Sequence, residues 1–132
     1  MKDTKKVVTH GEVRDRLLGT KRPVKFPLGR LVMTCGVSNA IDEAEATKGN
    51  GGAYSAAIAE AVARHEVGDW GETCDKDKAE NEDALKNGNR LMSVYTIWQD
   101  KTGTCGTPEG TKIWIITEWD RSATTVLFPG EY

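Results

Sequence analysis

The stretch LMSVYTIW, at residues 91–98, decides the fold class of this chain. It is rich in β-branched and aromatic residues, and its alternate positions would face opposite sides of a strand. The stretch KIWIITE at residues 112–118 is apolar on both faces, which predicts a second strand at the centre of a sheet. A third strand is predicted at residues 123–128, after a turn at 119–122. The sequence therefore predicts an antiparallel meander in the C-terminal half.

The residues that precede this meander show the periodicity of helices instead of the alternation of strands. Residues 53–66 carry one apolar stripe at spacings of three and four, formed by Tyr54, Ala57, Ile58, Ala61 and Val62. A second helix is predicted after the capping residues Ser38 and Asn39, and a third over residues 75–86. With a short strand at residues 28–34, the prediction is a two-layer α+β fold of three to four strands, an antiparallel meander packed by two or three helices.

The chain divides at its second proline. Pro23 and Pro27 exclude a helix between them, so residues 1–27 are predicted to form a basic arm and residues 28–132 a single domain. Residues 1–30 hold nine Lys or Arg against three acids, and the remainder of the chain carries a net charge of −8. Nucleic-acid binding through residues 1–30 is one hypothesis that this asymmetry allows. A solvated basic tail is the simpler interpretation.

Composition excludes several classes of protein. No apolar run approaches the roughly 20 residues that span a bilayer, and no secretory signal follows Met1, so we expect no membrane association and a cytoplasmic location. Cys35, Cys74 and Cys105 show no CxxC spacing, and the chain has only two histidines, so no metal site is predicted. No glycine-rich phosphate motif is present, so no cofactor is predicted, and the glycines at 49–52 suggest a linker.

The densest charge lies between residues 66 and 83, where eight acids accompany two lysines. An acidic helix beside an exposed loop is a candidate surface for a protein partner, although charge runs are also typical of solvated helix faces. The predicted binding residues are Trp70, Glu72, Asp75, Asp77, Glu80, Glu82 and Asp83.

Two polar motifs raise the question of catalysis. His65 begins an HxxGDWG motif, and Glu118, Asp120 and Arg121 follow the central predicted strand. These four residues could form a general acid–base group if they met in one cleft. Alternatively, His65 caps a helix C-terminus as a cation, Asp120 satisfies amides of its own turn, and Arg121 pairs with Glu118. No nucleophile-and-base spacing supports the catalytic interpretation.

Several motifs carry a family resemblance when taken in order. They are LGRLV at 28–32, ARHxxGDWG at 63–71, ENExAL at 80–85, LxSxY at 91–95 and WIITExDRSxTTxLxPxEY at 114–132. Together, over residues 28–132, they resemble a small uncharacterised bacterial family found on plasmids and integrated mobile elements. The chain departs from that pattern at its N-terminal arm, at residues 49–52 and at residues 104–110. The resemblance implies a link to host defence or plasmid maintenance, and it carries no catalytic residue or cofactor.

These observations leave three functions open. The favoured one is a non-enzymatic protein-interaction protein encoded on mobile DNA. The second is a small enzyme or nuclease-like toxin that uses His65, Glu118, Asp120 and Arg121. The third is nucleic-acid binding through the basic arm. A homodimer is a further expectation, either through an outward-facing tryptophan of the meander or through pairing of edge strands.

Overall fold

The computed structural model describes residues 23–49, 51–97 and 110–132. The predictions for residues 1–22, for most of the 98–110 loop and for Cys105 lie outside the described residues. In chain order the elements are β1 (Arg30–Met33), α1 (Cys35–Lys48), α2 (Gly51–Glu66), α3 (Asp75–Asn87), β2 (Leu91–Ile97), β3 (Thr111–Thr117), β4 (Ala123–Leu127) and a short 3-10 helix (Pro129–Glu131).

The four strands form one sheet in the order β1-β4-β3-β2. The predicted meander is confirmed, because β2, β3 and β4 pair antiparallel in sequence order and β3 lies at the centre. Strand β1 differs from the meander, since it pairs parallel with β4 and Leu31 is opposite Thr124. A parallel pair needs a long crossover, and here α1, α2, α3 and two further strands lie between the two partners. The fold is α+β, as predicted.

The ends of the helices refine the sequence prediction. Helix α1 begins six residues before the predicted 41–46 segment, because the hydroxyl of Thr34 accepts the amide hydrogen of Val37 and caps it. It ends at Gly49, whose φ of 68° is the left-handed conformation that favours glycine. Helix α2 begins already at Gly51. The glycine-rich segment expected as a linker is therefore largely a helix end followed by a helix start.

One face of the sheet carries the core. Alternate strand residues point toward α1 and α2 on this face, and the buried cluster includes Leu91, Tyr95, Ile113, Ile115 and Val126. The intervening residues form the opposite face, where Trp114 makes an edge contact with Tyr132. Trp70, which the sequence places between the turn residues Asp69 and Gly71, is 4% exposed and packs against the core. This arrangement brings α2, β2, β3 and β4 around a single buried histidine.

Candidate functional site

A continuous chain of hydrogen bonds crosses the core through His65, which is fully buried. Its Nδ1 lies 2.5 Å from the hydroxyl of Ser93, and its Nε2 lies 2.8 Å from the hydroxyl of Thr117. The Thr117 hydroxyl is 2.8 Å from that of Thr124, which in turn donates to the carbonyl of Leu28 at 2.7 Å. The network thus joins α2, all three antiparallel strands and the segment that leads into β1.

The last acceptor determines the direction of every hydrogen bond in this network. A carbonyl can only accept, so the Thr124 hydroxyl donates to Leu28 and must accept from Thr117. Thr117 has then used its hydrogen, so it accepts from Nε2–H of His65. Nδ1 of His65 is left as the acceptor for the Ser93 hydroxyl. In the neutral ring the proton is therefore on Nε2.

The electrostatics agree with this assignment. Burial, together with the smaller effect of the nearby positive charge of Arg121, lowers the pKa of His65 from 6.5 to about 3. The expectation of a cationic imidazole at the end of α2 is wrong, because the ring faces the core instead of the helix end. Phe26 and Trp70 complete its surroundings with edge-on ring contacts at 5.1 and 5.7 Å. Without access to solvent and with both nitrogens bonded, His65 cannot take a proton from a substrate.

Arg121 has a structural role in the turn between β3 and β4. It is the one non-glycine residue with positive φ in the described part of the chain, at 59°. Its guanidinium donates to the backbone carbonyls of Asn89, Glu118 and Ala84 at 2.6, 3.0 and 3.1 Å. The sequence suggested an ion pair with the Glu118 carboxylate, but the backbone carbonyl of Glu118 is the acceptor. Arg121 thereby ties the turn to the C-terminal end of α3.

Asp120 behaves as the turn interpretation expected. Its carboxylate accepts the amide hydrogen of Ser122 at 3.0 Å, and hydrogen bonds from Ser122 lower the pKa of Asp120. The side chain is exposed, whereas His65 lies in the core. The structure therefore does not bring His65, Glu118, Asp120 and Arg121 into a shared cleft.

The loop that follows α2 is built from its own polar groups. Asp69 forms a salt bridge with Arg64 at 2.8 Å and accepts the amide hydrogen of Gly71 at 3.2 Å. The hydroxyl of Tyr95 donates to the backbone carbonyl of Asp69 at 2.7 Å. Gly71 has a φ of 66° and lies directly against the carbonyl of Val94 and the ring of Tyr95, where a side chain would collide. The HxxGDWG motif is thus accounted for by packing and hydrogen bonding.

Three contacts hold α3 beside β2. The side chain of Asn81, 4% exposed, donates to the carbonyl of Met92 at 2.7 Å and accepts its amide hydrogen at 3.2 Å. Glu82 accepts from the indole nitrogen of Trp70 at 2.8 Å. Arg121 donates to the carbonyl of Ala84 at 3.1 Å. These contacts fall at residues 81–84, so they fix the C-terminal half of α3 on the edge of the sheet.

The predicted binding residues separate into two groups. Trp70 is buried, and the exposed Glu82 accepts a hydrogen bond from it, so this pair anchors α3. The other residues are Glu72, which lies in the loop before α3, and four acids of α3 that form its acidic face: Asp75, Asp77, Glu80 and Asp83. Asp77 is half-buried, and the other acids are exposed. Within residues 23–49, 51–97 and 110–132, none of these five carboxylates forms a salt bridge. Asp77 and Glu80 also border a groove of about 150 Å³ with Arg90 and Met92.

Sequence reasoning missed Ser93, Thr117 and Thr124 as members of the buried network, and Asn81 as the residue that covers the edge of β2. Ser93 carried a usable signal, because it lies between Leu91 and Tyr95 on one face of the strand, and that face is buried. A buried hydroxyl needs a hydrogen-bond partner, so its position predicted one without identifying it.

The described residues contain no group of three or more His, Cys, Asp or Glu placed to hold a metal ion. Among the helices described, none has the length and apolar character needed to cross a membrane. In comparisons with known proteins, no family model, curated protein or solved structure matched the chain.

Proposed function

We propose that this chain is a non-enzymatic protein-binding protein, and that the acidic face of α3 contacts a basic surface on its partner. The observation that carries the proposal is a set of carboxylates that form no salt bridge within the described part of the chain, on a helix whose C-terminal half is held in place. Asn81, Glu82 and Arg121 make the contacts that hold it, so the outward acids are presented without a large ordering cost on binding.

The positions and hydrogen bonds of the other polar residues favour a binding function over catalysis. His65 is enclosed in the core, and the donors of Arg121 are directed at backbone carbonyls. Asp120 is exposed and bonded within its own turn. A small enzyme or toxin would need these groups to face a substrate together. Asp75, Glu80 and Asp83 of α3 are, by contrast, exposed, so a partner can reach their carboxylates.

The partner expected from this chemistry has a patch of Lys and Arg. Charge complementarity of this kind accelerates association and weakens as salt screens it. This chain resembles a protein family found on plasmids and mobile elements. The resemblance suggests that the partner is a cytoplasmic protein that handles nucleic acid, in host defence or plasmid maintenance. Nucleic-acid binding through residues 1–30 is a separate hypothesis, and residues 1–22 lie outside the described part of the chain.

The test compares two neutralised variants in affinity capture from cells that naturally express the protein. One carries Glu80→Gln and Asp83→Asn on the acidic face of α3. The matched control carries Asp42→Asn and Glu43→Gln, which remove the same charge from exposed positions of α1. We expect a stoichiometric partner to be retained by the wild type and the control and lost by the α3 variant, with weaker retention at higher salt. Equal capture by both variants would refute the proposal.

A further inference from the structure

The two edge strands of the sheet, β2 and β1, differ in whether other residues hydrogen-bond to their outward-facing backbone groups. On the outer edge of β2, Asn81 pairs with both backbone groups of Met92. The hydroxyl of Thr73 accepts from the amide of Val94, and the carbonyl of Val94 accepts from the amide of Glu72. This edge is therefore covered over two successive outward-facing residues, which is how native proteins prevent unwanted strand pairing.

The outer edge of β1 has no such cover among the described residues. The amides of Arg30 and Thr34 donate to Ser122 and Val126, so Arg30, Val32 and Thr34 direct their backbone groups toward β4. By alternation, Leu31 and Met33 direct theirs away from the sheet. Within residues 23–49, 51–97 and 110–132, neither residue has a hydrogen bond on that side. Two amides and two carbonyls thus have no partner among the described residues, on an edge that carries no charged side chain between Arg30 and Thr34.

The side chains on this edge are also unusually exposed for apolar residues. Leu31 is 48% exposed and Met33 is 47% exposed, and both point to the helix side of the sheet. There they border an apolar groove of about 250 Å³, together with Ile41, Ser55 and Ala59. Helix α2 has no charged residue from Gly51 to Ala59, so its flank above the groove is small and uncharged.

We propose that β1 pairs antiparallel with β1 of a second copy of this chain, around a two-fold axis at Val32. In that register Leu31 of each copy lies opposite Met33 of the other, and the four free groups of each copy form four hydrogen bonds in all. Arg30 lies opposite the neutral Thr34, so no like charges meet. The two sheets become one continuous sheet of eight strands. The pairing is isologous, which closes the dimer and leaves no free β1 edge.

The second copy is the occupant that this surface fits best. The free edge is complementary to itself in hydrogen bonds, in apolar character and in the absence of opposing charge. A stable dimer needs roughly 800 Å² from each partner, more than a four-residue strand supplies. The exposed groove and the uncharged flank of α2 lie on the same side and provide the additional apolar surface. The acidic face of α3 is at the opposite edge and stays accessible, so this inference does not depend on the proposed function.

Sedimentation of the full chain at increasing concentration tests the proposal. The mass is expected to rise from the 14.4 kDa of one chain to twice that value. Leu31→Lys combined with Met33→Lys places charges at half-exposed positions and is expected to restore the monomer. Trp119→Lys alters an apolar residue that is 66% exposed in the turn after β3 and is expected to leave the dimer intact. A monomer at every concentration, or a dimer that survives the β1 substitutions, would overturn the proposal.

A disulfide crosslink provides a second test, which detects the dimer directly and does not depend on a substitution that disrupts it. Val32 would face Val32 of the second copy in a non-hydrogen-bonded pair, with α-carbons about 4.5 Å apart, within the range that a disulfide spans. Val32→Cys, in a background where the three native cysteines are serine, is expected to form a covalent dimer under mild oxidation. Val24→Cys, at a position 42% exposed, serves as the control. Equal crosslinking of both variants would contradict the two-fold pairing.

Discussion

The hydroxyl of Thr117 lies 2.8 Å from Nε2 of His65, although 52 positions separate the two residues in the chain. This contact joins the centre of the meander to the helix that packs on it. It also belongs to a series of four hydrogen bonds whose direction is set by the Leu28 carbonyl. A buried network of this kind stabilises only when every member is satisfied, so each hydroxyl has a measurable role.

The first prediction compares neighbouring threonines of β4. Thr124→Val removes the hydroxyl that connects Thr117 to the Leu28 carbonyl and leaves both partners unsatisfied in the core. We expect the free energy of unfolding to fall by about 1–3 kcal/mol. Thr125→Val makes the same chemical change on the opposite, half-buried face and is expected to alter stability by less than about 0.5 kcal/mol. Urea denaturation measures both; equal losses would argue against the network.

The second prediction concerns the stability of the fold at acidic pH. The folded state holds His65 with a pKa of about 3, whereas the unfolded chain has the ordinary value of 6.5. Between these values the unfolded state binds more protons, so the free energy of unfolding decreases as pH falls, by up to about 1.4 kcal/mol per pH unit. Asp120 and Glu131 also have lowered pKa values in the folded state. Their contribution to the free energy of unfolding is lost mainly as pH falls below their ordinary pKa values of 3.8 and 4.5.

The interval from about pH 5 to 6.5 therefore isolates His65. Urea denaturation at several pH values in this interval measures the slope. A His10→Gln background leaves His65 as the only imidazole in the chain. Stability that is independent of pH in this interval would show that the imidazole is not held neutral.

The third prediction concerns the guanidinium group of Arg121, whose N–H groups donate to several backbone carbonyls at once. A lysine has one ammonium group and cannot bridge the carbonyls of Asn89 and Ala84 as the guanidinium does. Arg121→Lys is expected to lower the free energy of unfolding by about 1–3 kcal/mol. Arg90→Lys changes an exposed arginine that contacts the Tyr132 ring, and its effect should be within about 0.5 kcal/mol. Thermal and urea denaturation of the two variants provide the comparison, and a neutral Arg121→Lys would refute the structural role.

The fourth prediction concerns the cover on the β2 edge. Asn81→Ala leaves the amide and carbonyl of Met92 without their partner, and should cost about 1–3 kcal/mol of stability. Hydrogen exchange at the Met92 amide should accelerate in the same variant. Asn87→Ala, at the exposed end of α3, is the control and should leave that amide protected. Unchanged exchange at Met92 in Asn81→Ala would mean that another group covers this edge.

Local patterns were sufficient for the secondary structure. The stripe from Tyr54 to Val62 predicted α2, and the alternation in residues 91–98 predicted β2, because helix and strand periods are properties of neighbouring residues. The predicted end of α3 at residue 86 is within one residue of its end at Asn87, and Gly88 follows with a positive φ of 73°. The start of α1 was predicted too late, because Thr34 caps that helix instead of Ser38 or Asn39.

The sequence by itself determined an α+β fold with a C-terminal meander, and the concentration of acids on one surface helix. Both are set by residues close together in the chain. Only the tertiary structure decided that His65 is a neutral core residue, that Arg121 supports α3, and that β1 joins β4 in parallel, with its other edge uncovered by the residues that the structure describes. These features depend on contacts between segments far apart, such as His65 with Thr117 and Arg30 with Ser122. Burial and hydrogen-bond partners arise from the packing of distant segments, so periodicity along the chain does not specify them.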